Sequence, residues 1–415
     1  IEEFLISPEG GWDKASDAGY CASKGSGMAL DLSTLIGFVK DTQPVAWQRF
    51  EKQCNSDPEK KFYRAFENAV ENDGLISVLR HGFKHRGIDF RVCYFKPEST
   101  LNDLAVKHYG QNICQCIRQW HYSEQNNNSV DMMLAVNGIP VVAIELKNQL
   151  TGQSIDNAKR QWMFDRDLKE PAFRLNHRIL VFFAVDLCEA VMTTKLNGAK
   201  TFFFPFNQGS NGPGNDGGAG NPETKDGDYV TSYLWKDVLQ KDSLLDILQK
   251  FVNFEVKKEK TVLEDGTYKE VTKKSLIFPR YHQMDAVRKL VKDVREHGPG
   301  KNYLIQHSAG SGKSNSIAWA AYRLASLHND KNEPVFTSVV IVTDRTVLDQ
   351  QLQDTISGFD HTLGSVVTID EKKNSKDLRD AINDGKRIIV TTLQKFPVIY
   401  DEVNDTTGKA FAVIV

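Results

Sequence analysis

The sequence lacks several things at once. Its six cysteines, Cys21, Cys54, Cys93, Cys114, Cys116 and Cys188, form no C-x-x-C pair and no Cys/His group at zinc spacing. That excludes a zinc ribbon and reads as free thiols in a reducing cytoplasm. The longest apolar run, Ile179–Val185, falls far short of the roughly 20 residues that span a bilayer, so no membrane partner is expected. The opening IEEFLISPEGGW has neither the basic nor the apolar region of a signal peptide. No internal repeat is present. Excess charge of one sign is also missing: 52 Lys+Arg stand against 54 Asp+Glu, a net −2. A near-neutral total does not exclude nucleic acid, because a basic groove can sit inside a balanced sum.

What is present is globular. Hydrophobic residues at 40% and charged residues at 26% rule out a disordered, collagenous or coiled-coil chain. At about 150 residues per domain, 415 residues suggest two or three domains. The sequence starts at Ile1 and ends on Phe411-Ala-Val-Ile-Val415. It reads as a fragment whose last residues form a strand.

Three stretches punctuate the chain, one of them the polar patch Gln125–Ser129 (QNNNS) ahead of strand-like segments. Gln208–Pro222 (QGSNGPGNDGGAGNP) is too rich in Gly, Asn and Pro for a helix or strand interior, and reads as a surface loop or a contact loop. Lys257–Lys274, highly charged around Asp265-Gly266, reads as a solvated hairpin or linker and marks the domain boundary near 255/256. Before it, Met132–Val136 and Pro140–Leu146 flank Asn137-Gly138, a strong hairpin signal. A helix over about 155–165 and a buried strand over 178–185 follow. After the boundary, strands at Tyr303–Gln306, Ser338–Thr343 and Arg387–Thr391 alternate with helical patterns, which argues for a parallel sheet.

The first chemical group lies on the hairpin. With period 2 in a strand, Glu145 and Lys147 share a face, and the hairpin brings Asp131 beside them. Two carboxylates suit a hard cation such as magnesium. A neighbouring lysine can orient or polarise the attacking water, so the trio is the minimal kit for phosphodiester hydrolysis. An Asp followed by E-x-K is also common by chance. Charges that end the apolar run VVAIEL nevertheless cost free energy unless paired or metal-bound. On the helix downstream, Gln161 could reach a scissile phosphate or the DNA backbone.

The second group is His307-Ser-Ala-Gly310-Ser-Gly312-Lys313-Ser314 ahead of an amphipathic helix. It fits the phosphate loop G-x-x-x-x-G-K-[ST], except that His307 holds the first glycine position. Backbone N–H groups over Ala309, Gly310, Ser311 and Gly312 would cradle phosphates at a helix N-terminus. Lys313 would contact the β/γ-phosphates and Ser314 would ligate magnesium. Upstream, Tyr281 can stack on adenine and Gln283 can pair with its edge, which implies ATP. Thr343, Arg345, Gln350, Thr391 and Thr392 stand at or just past strand ends, where hydroxyls and an Arg suit a phosphate backbone.

Taken in order, FPRYHQ, HSAGSGKS, VIVTDRTVLDQQ and TTLQK resemble the adenine-recognition motif and motifs I, Ia and Ib of superfamily-two helicases and translocases. VDMMLAVNGIPVVAIELKNQLTGQ matches the PD-(D/E)xK nuclease pattern, with Val130-Asp131 in place of Pro-Asp. With FFAVDLCEAVMTTKLNG, FFFPFNQG and GGAGNP, it resembles the restriction (R, motor) subunit of type I restriction–modification enzymes. The resemblance runs from about residue 81 to the end. It implies a PD-(D/E)xK-type mixed α/β domain over 1–255 and a partial RecA-like parallel lobe over 256–415. It further implies cleavage of unmethylated double-stranded DNA coupled to ATP-driven translocation. Methyltransferase and specificity subunits would be partners, with S-adenosylmethionine entering only through the methyltransferase. Gln161 matches the family's Q-x-x-x-Y glutamine, but Asp165 stands at the tyrosine position. The family's next motif, Asp-Glu-Ala-His, lies past Val415, so this stretch is expected to bind ATP without turning it over. Two rivals remain: a motor whose nuclease-like domain only grips DNA, and a non-catalytic assembly module.

Overall fold

A computed structural model describes residues 1–415 except 21–27, 99–101, 124, 225–226, 263–267, 344–351, 354, 357–365, 370–372 and 398–408. It divides into two compact units, Ile1–Arg280 and Tyr281–Val415.

The first unit begins with α1 (Glu2–Leu5) and β1 (Asp13–Ala15). A helical run follows: α2 (Leu32–Thr42), α3 (Pro44–Gln53), α4 (Pro58–Asp73) and α5 (Leu75–His81). The small hairpin β2 (Phe83–His85) and β3 (Ile88–Phe90) comes next, then α6 (Asp103–Gly110). Strands β4 (Cys114–His121), β5 (Ser129–Val136) and β6 (Ile139–Leu146) lead to α7 (Ile155–Phe164). After them come β7 (Val181–Val185), β8 (Ala190–Thr193), β9 (Phe204–Pro205) and α8 (Lys241–Lys250). A two-stranded ribbon, β10 (Asn253–Val262) and β11 (Tyr268–Ile277), closes the unit.

Seven strands form one mixed sheet in the order β1-β4-β5-β6-β7-β8-β9. β5 and β6 are antiparallel, whereas β6 and β7 are parallel through the α7 crossover. The hairpin turn is where the sequence puts it. Asn137 (φ 50) and Gly138 (φ 81) both occupy the left-handed region that a two-residue turn requires. A Cβ on Gly138 would meet the Asp31 carbonyl oxygen at 2.3 Å. Asn137 is buried, and its amide donates to the Val92 carbonyl and to Asn112 Oδ1, both at 2.9 Å.

α7 is fixed at both ends of its inner face. Asp186, just past β7, accepts the Ile155 N–H (3.0 Å) and the Gln149 amide (2.9 Å). Trp162, fully buried, donates its indole N–H to the Phe183 carbonyl at 3.0 Å. It packs with Trp120, Phe173 and Phe182 in the core on one side of the sheet. The expected loop at 208–222 is tied to itself: Gly209 N–H reaches Gly220 O at 2.8 Å, and Ser210 N–H reaches Gly218 O at 3.0 Å.

In the second unit, α9 (Tyr281–His297) and α10 (Lys313–Ala325) precede β12 (Ser338–Thr343), β13 (Val366–Thr368), α11 (Ser375–Asn383), β14 (Ile388–Thr392) and β15 (Phe411–Ile414). The four strands pair in parallel in the order β13-β14-β12-β15. Leu378, Ala381 and Ile382 of α11 pack against Val340, Val342 and Ile389. One expectation is corrected here. Tyr303–Gln306 is not a strand: it joins no ladder, and Leu304 is 92% exposed. Three apolar residues give local extension, but a strand also needs a ladder partner, which local sequence does not specify.

Candidate functional site

The β5–β6 register pairs Met132 with Ile144, which sets Asp131 and Glu145 opposite one another one step along the ladder. Lys147 continues β6, its N–H donating to the Val185 carbonyl at 2.9 Å. Its Nζ lies 3.7 Å from Asp131 Oδ2 and 3.9 Å from Glu145 Oε2. The three residues named from sequence therefore share one face. The Asp131 side chain is 27% exposed and that of Lys147 7%, while Glu145 is buried.

Asp131 is held by both oxygens. Oδ2 accepts the Leu146 N–H at 2.8 Å, and Oδ1 accepts the Gln119 amide at 3.2 Å. Glu145 has a partner that sequence reasoning missed. Arg166, just beyond α7, donates to Glu145 Oε1, to the Tyr122 hydroxyl (2.9 Å) and to the Ser129 carbonyl (2.9 Å). Its guanidinium also lies over the Tyr122 and Trp162 rings. A single Arg after a helix carries no periodic signal, and only the tertiary fold shows its partner.

Burial is the largest influence on Glu145 and pushes its carboxyl up to about 7; Arg166 pulls it down and Asp131 adds to the rise. Burial by itself would lower Arg166, but the Glu145 carboxylate raises it overall.

The donor set can be tested against magnesium. Among the described residues no group of three or more His, Cys, Asp or Glu side chains could hold an ion. Magnesium commonly uses one or two carboxylates and keeps several waters. Glu145 commits Oε1 to Arg166 and turns Oε2 towards Lys147, on the Asp131 side. Two hard carboxylates on either side of Lys147 Nζ, that of Asp131 partly exposed, supply the oxygens this pattern needs.

Gln161 sits on α7, where its buried Oε1 has no hydrogen-bond partner among the described residues. Asp165, at the position expected for a tyrosine, caps the helix, its N–H donating to the Gln161 carbonyl at 3.0 Å.

In the second unit the glycine-rich loop runs directly into α10. Gly310 (φ 71) and Gly312 (φ 83) are left-handed, and a Cβ on Gly310 would find no atom within 4 Å. Lys313 arches back over the loop, donating to the carbonyls of His307 (3.1 Å) and Ser308 (3.4 Å). Ala309 is exposed, Ser314 lies in the first turn of α10, and Ser311 Oγ is buried without a hydrogen-bond partner among the described residues. Gln283 is buried, and its amide donates to the carbonyls of Ser311 (3.2 Å) and Gly312 (2.9 Å), so it braces the loop. Tyr281, also buried, begins the same helix. Glycines free to turn and a lysine at the helix start suit a polyphosphate with its magnesium.

Thr343 and Thr392 are ladder partners at the C-terminal ends of β12 and β14. Thr391 is fully buried, and its hydroxyl, like that of Thr343, has no hydrogen-bond partner among the described residues. Arg345 and Gln350 lie outside the described residues.

Comparison with known proteins gives one family match within each unit. Residues 13–201 match the family described as type I restriction enzyme R protein N terminus, and residues 282–415 match SWI2/SNF2 ATPase. The type I restriction enzyme HindI endonuclease subunit of Haemophilus influenzae is 26% identical over 80% of this chain and 29% of its own length. The type I restriction enzyme SsaAORF53P endonuclease subunit of Staphylococcus saprophyticus is 24% identical over 84% of this chain and 33% of its own. The chain thus spans about a third of the length of these relatives. Among the described residues no helix is long and apolar enough to cross a membrane.

Proposed function

The chain belongs to the type I restriction enzyme R-protein family, and from that premise we propose that its first unit is a PD-(D/E)xK-type, magnesium-dependent DNA endonuclease domain. The observation that carries this reading is the meeting of Asp131, Glu145 and Lys147 within 4 Å on one face of the β5–β6 hairpin. Asp131 and Glu145 Oε2 would hold the cation. When bound, magnesium stabilises charge developing on the phosphodiester and acidifies a bound water. Lys147 orients the attacking water. Arg166 holds Glu145 in one rotamer and keeps its charge compensated in a buried setting. Gln161 supplies an amide for the DNA backbone.

The second unit reads as the first lobe of an ATP-driven, RecA-like superfamily-two motor. The amides over Ala309–Gly312 would cradle the phosphates, Lys313 would neutralise them and Ser314 would ligate their magnesium, while Gln283 braces the loop. Tyr281 and Gln283, in the first turn of α9, would receive the adenine. Thr343 and Thr392, ladder partners at the C-terminal ends of β12 and β14, would meet DNA, with Arg345 and Gln350 as candidates from sequence alone; Thr391, fully buried, would not reach it. In the whole subunit, cleavage of unmethylated double-stranded DNA would follow ATP-driven translocation in a cytoplasmic complex. Methyltransferase and specificity subunits complete that complex, with S-adenosylmethionine bound only by the methyltransferase.

One observation favours a rival in which the first unit grips DNA without cutting it: Lys147 and Arg166 already neutralise the two carboxylates. Supercoiled plasmid incubated with magnesium separates the two readings. The nuclease reading expects nicking by the assembled complex and none by its Lys147→Ala variant. Nicking that persists in Lys147→Ala refutes the site; no nicking by the parent complex favours the grip.

A further inference from the structure

β4 is interrupted at Gln119. The ladder pairs Arg118 with Met132 and Trp120 with Val130, but Gln119, which faces Asp131 between them, makes no ladder pair. Its φ of 49 is left-handed, a conformation that a glutamine adopts rarely and at a cost. Alternation breaks at the same place. Ile117 and Trp120 enter the same core, while the intervening Arg118 and Gln119 are both exposed. An irregularity of this kind inside a strand re-aims a side chain, and such strain persists where surrounding contacts hold it in place.

The side chain it re-aims lies between two groups of β5. Gln119 Oε1 accepts from the Ser129 hydroxyl at 2.7 Å, and Gln119 Nε2 donates to Asp131 Oδ1 at 3.2 Å. The hydroxyl's donation fixes which end of the amide meets the carboxylate. Asp131 Oδ2 is meanwhile tied to the Leu146 N–H and turned towards Lys147.

We infer that Gln119, set by its left-handed backbone and oriented by Ser129, is a positioning residue that presents Asp131 to a divalent cation. This rests on the nuclease reading above. The device works as a second layer around the ligand: it fixes the carboxylate rotamer before the ion arrives and keeps one oxygen directed at the space shared with Glu145. Outer groups of this type commonly change metal affinity 10- to 100-fold.

The test uses manganese as the probe. Manganese binding to the chain is measured by calorimetry, alongside thermal melting and magnesium-dependent plasmid nicking, for the parent, Gln119→Gly, Ser129→Ala and Asp131→Asn. Glycine relieves the left-handed backbone and deletes the amide together. Gln119→Gly is therefore expected to melt at or above the parent temperature, yet to bind manganese about 10- to 100-fold more weakly. Its nicking should need correspondingly more magnesium while recovering most of the parent rate at saturation. Ser129→Ala should weaken manganese binding in the same direction by a smaller factor. Unchanged manganese affinity in both variants, with Asp131→Asn abolishing binding, overturns the inference alone and leaves the interruption a purely structural feature. A parent that binds no manganese, or an Asp131→Asn variant that binds as the parent does, overturns the metal-site reading and the inference together.

Discussion

Arg166 and Glu145 form a buried ion pair that joins the end of α7 to the end of β6. Arg166 donates to Glu145 Oε1, leaving Oε2 3.9 Å from Lys147 Nζ. Their side chains are 3% and 1% exposed. One contact thus ties the helix of the crossover to the chemistry of the hairpin.

Removing only the cation should be costly. Arg166→Met leaves a buried carboxylate without its main partner, and a loss of about 3–5 kcal/mol is expected in urea unfolding. Adding Glu145→Gln to the same chain should restore most of that loss. A double-mutant cycle measures the coupling, and additive effects would show that the pair does not interact in the folded state.

The raised Glu145 carboxyl makes stability pH-dependent. Its folded value of about 7 lies above the ordinary 4.5, so folding favours the protonated form. The contribution is fully present below about pH 4.5 and is lost as pH rises through about 7, amounting to about 3 kcal/mol. Metal-free urea unfolding from about pH 5 to about pH 8 should show this fall in the parent and lack it in Glu145→Gln. The difference between the two curves removes contributions from other titrating groups. A difference that stays flat across the range contradicts the assignment.

Trp162 anchors α7 to the sheet, and the helix carries the half-buried Gln161 beside it and Arg166 just past its end. Trp162→Ala should cost about 3–5 kcal/mol by chemical denaturation. It should also weaken nicking at saturating magnesium, because Arg166 loses the ring it lies over. Full activity in a destabilised variant would separate the helix from the site.

The hairpin was legible because Asn137-Gly138 demands a left-handed two-residue turn, and the parity of Glu145 and Lys147 follows from strand geometry. The start of α10 after Gly312 was legible for the same local reason. Arg166 was not, since nothing near it in sequence marks Glu145 as its partner. Gln119 was hidden because its left-handed backbone breaks the very alternation by which a strand is read. Tyr303–Gln306 failed in the opposite sense: its composition is strand-like, but the ladder that makes a strand is a tertiary property.

Lys313 is exposed, so Lys313→Ala should leave urea unfolding within about 0.5 kcal/mol of the parent. Affinity for a fluorescent magnesium–ATP analogue should fall at least tenfold, about 1.4 kcal/mol. ATP-dependent cleavage by the assembled complex should fall with it, because cleavage follows translocation. Unaltered nucleotide affinity would remove Lys313 from the phosphate site.

The central claim is that Asp131 and Glu145 share one divalent cation. A crystal soaked in manganese and measured at the manganese absorption edge tests it most directly. The expected result is a single anomalous peak about 2.1 Å from an Asp131 oxygen and from Glu145 Oε2, with Arg166 still on Oε1. Saturating manganese with no peak at those oxygens, and Lys147 still between the two carboxylates, would contradict it.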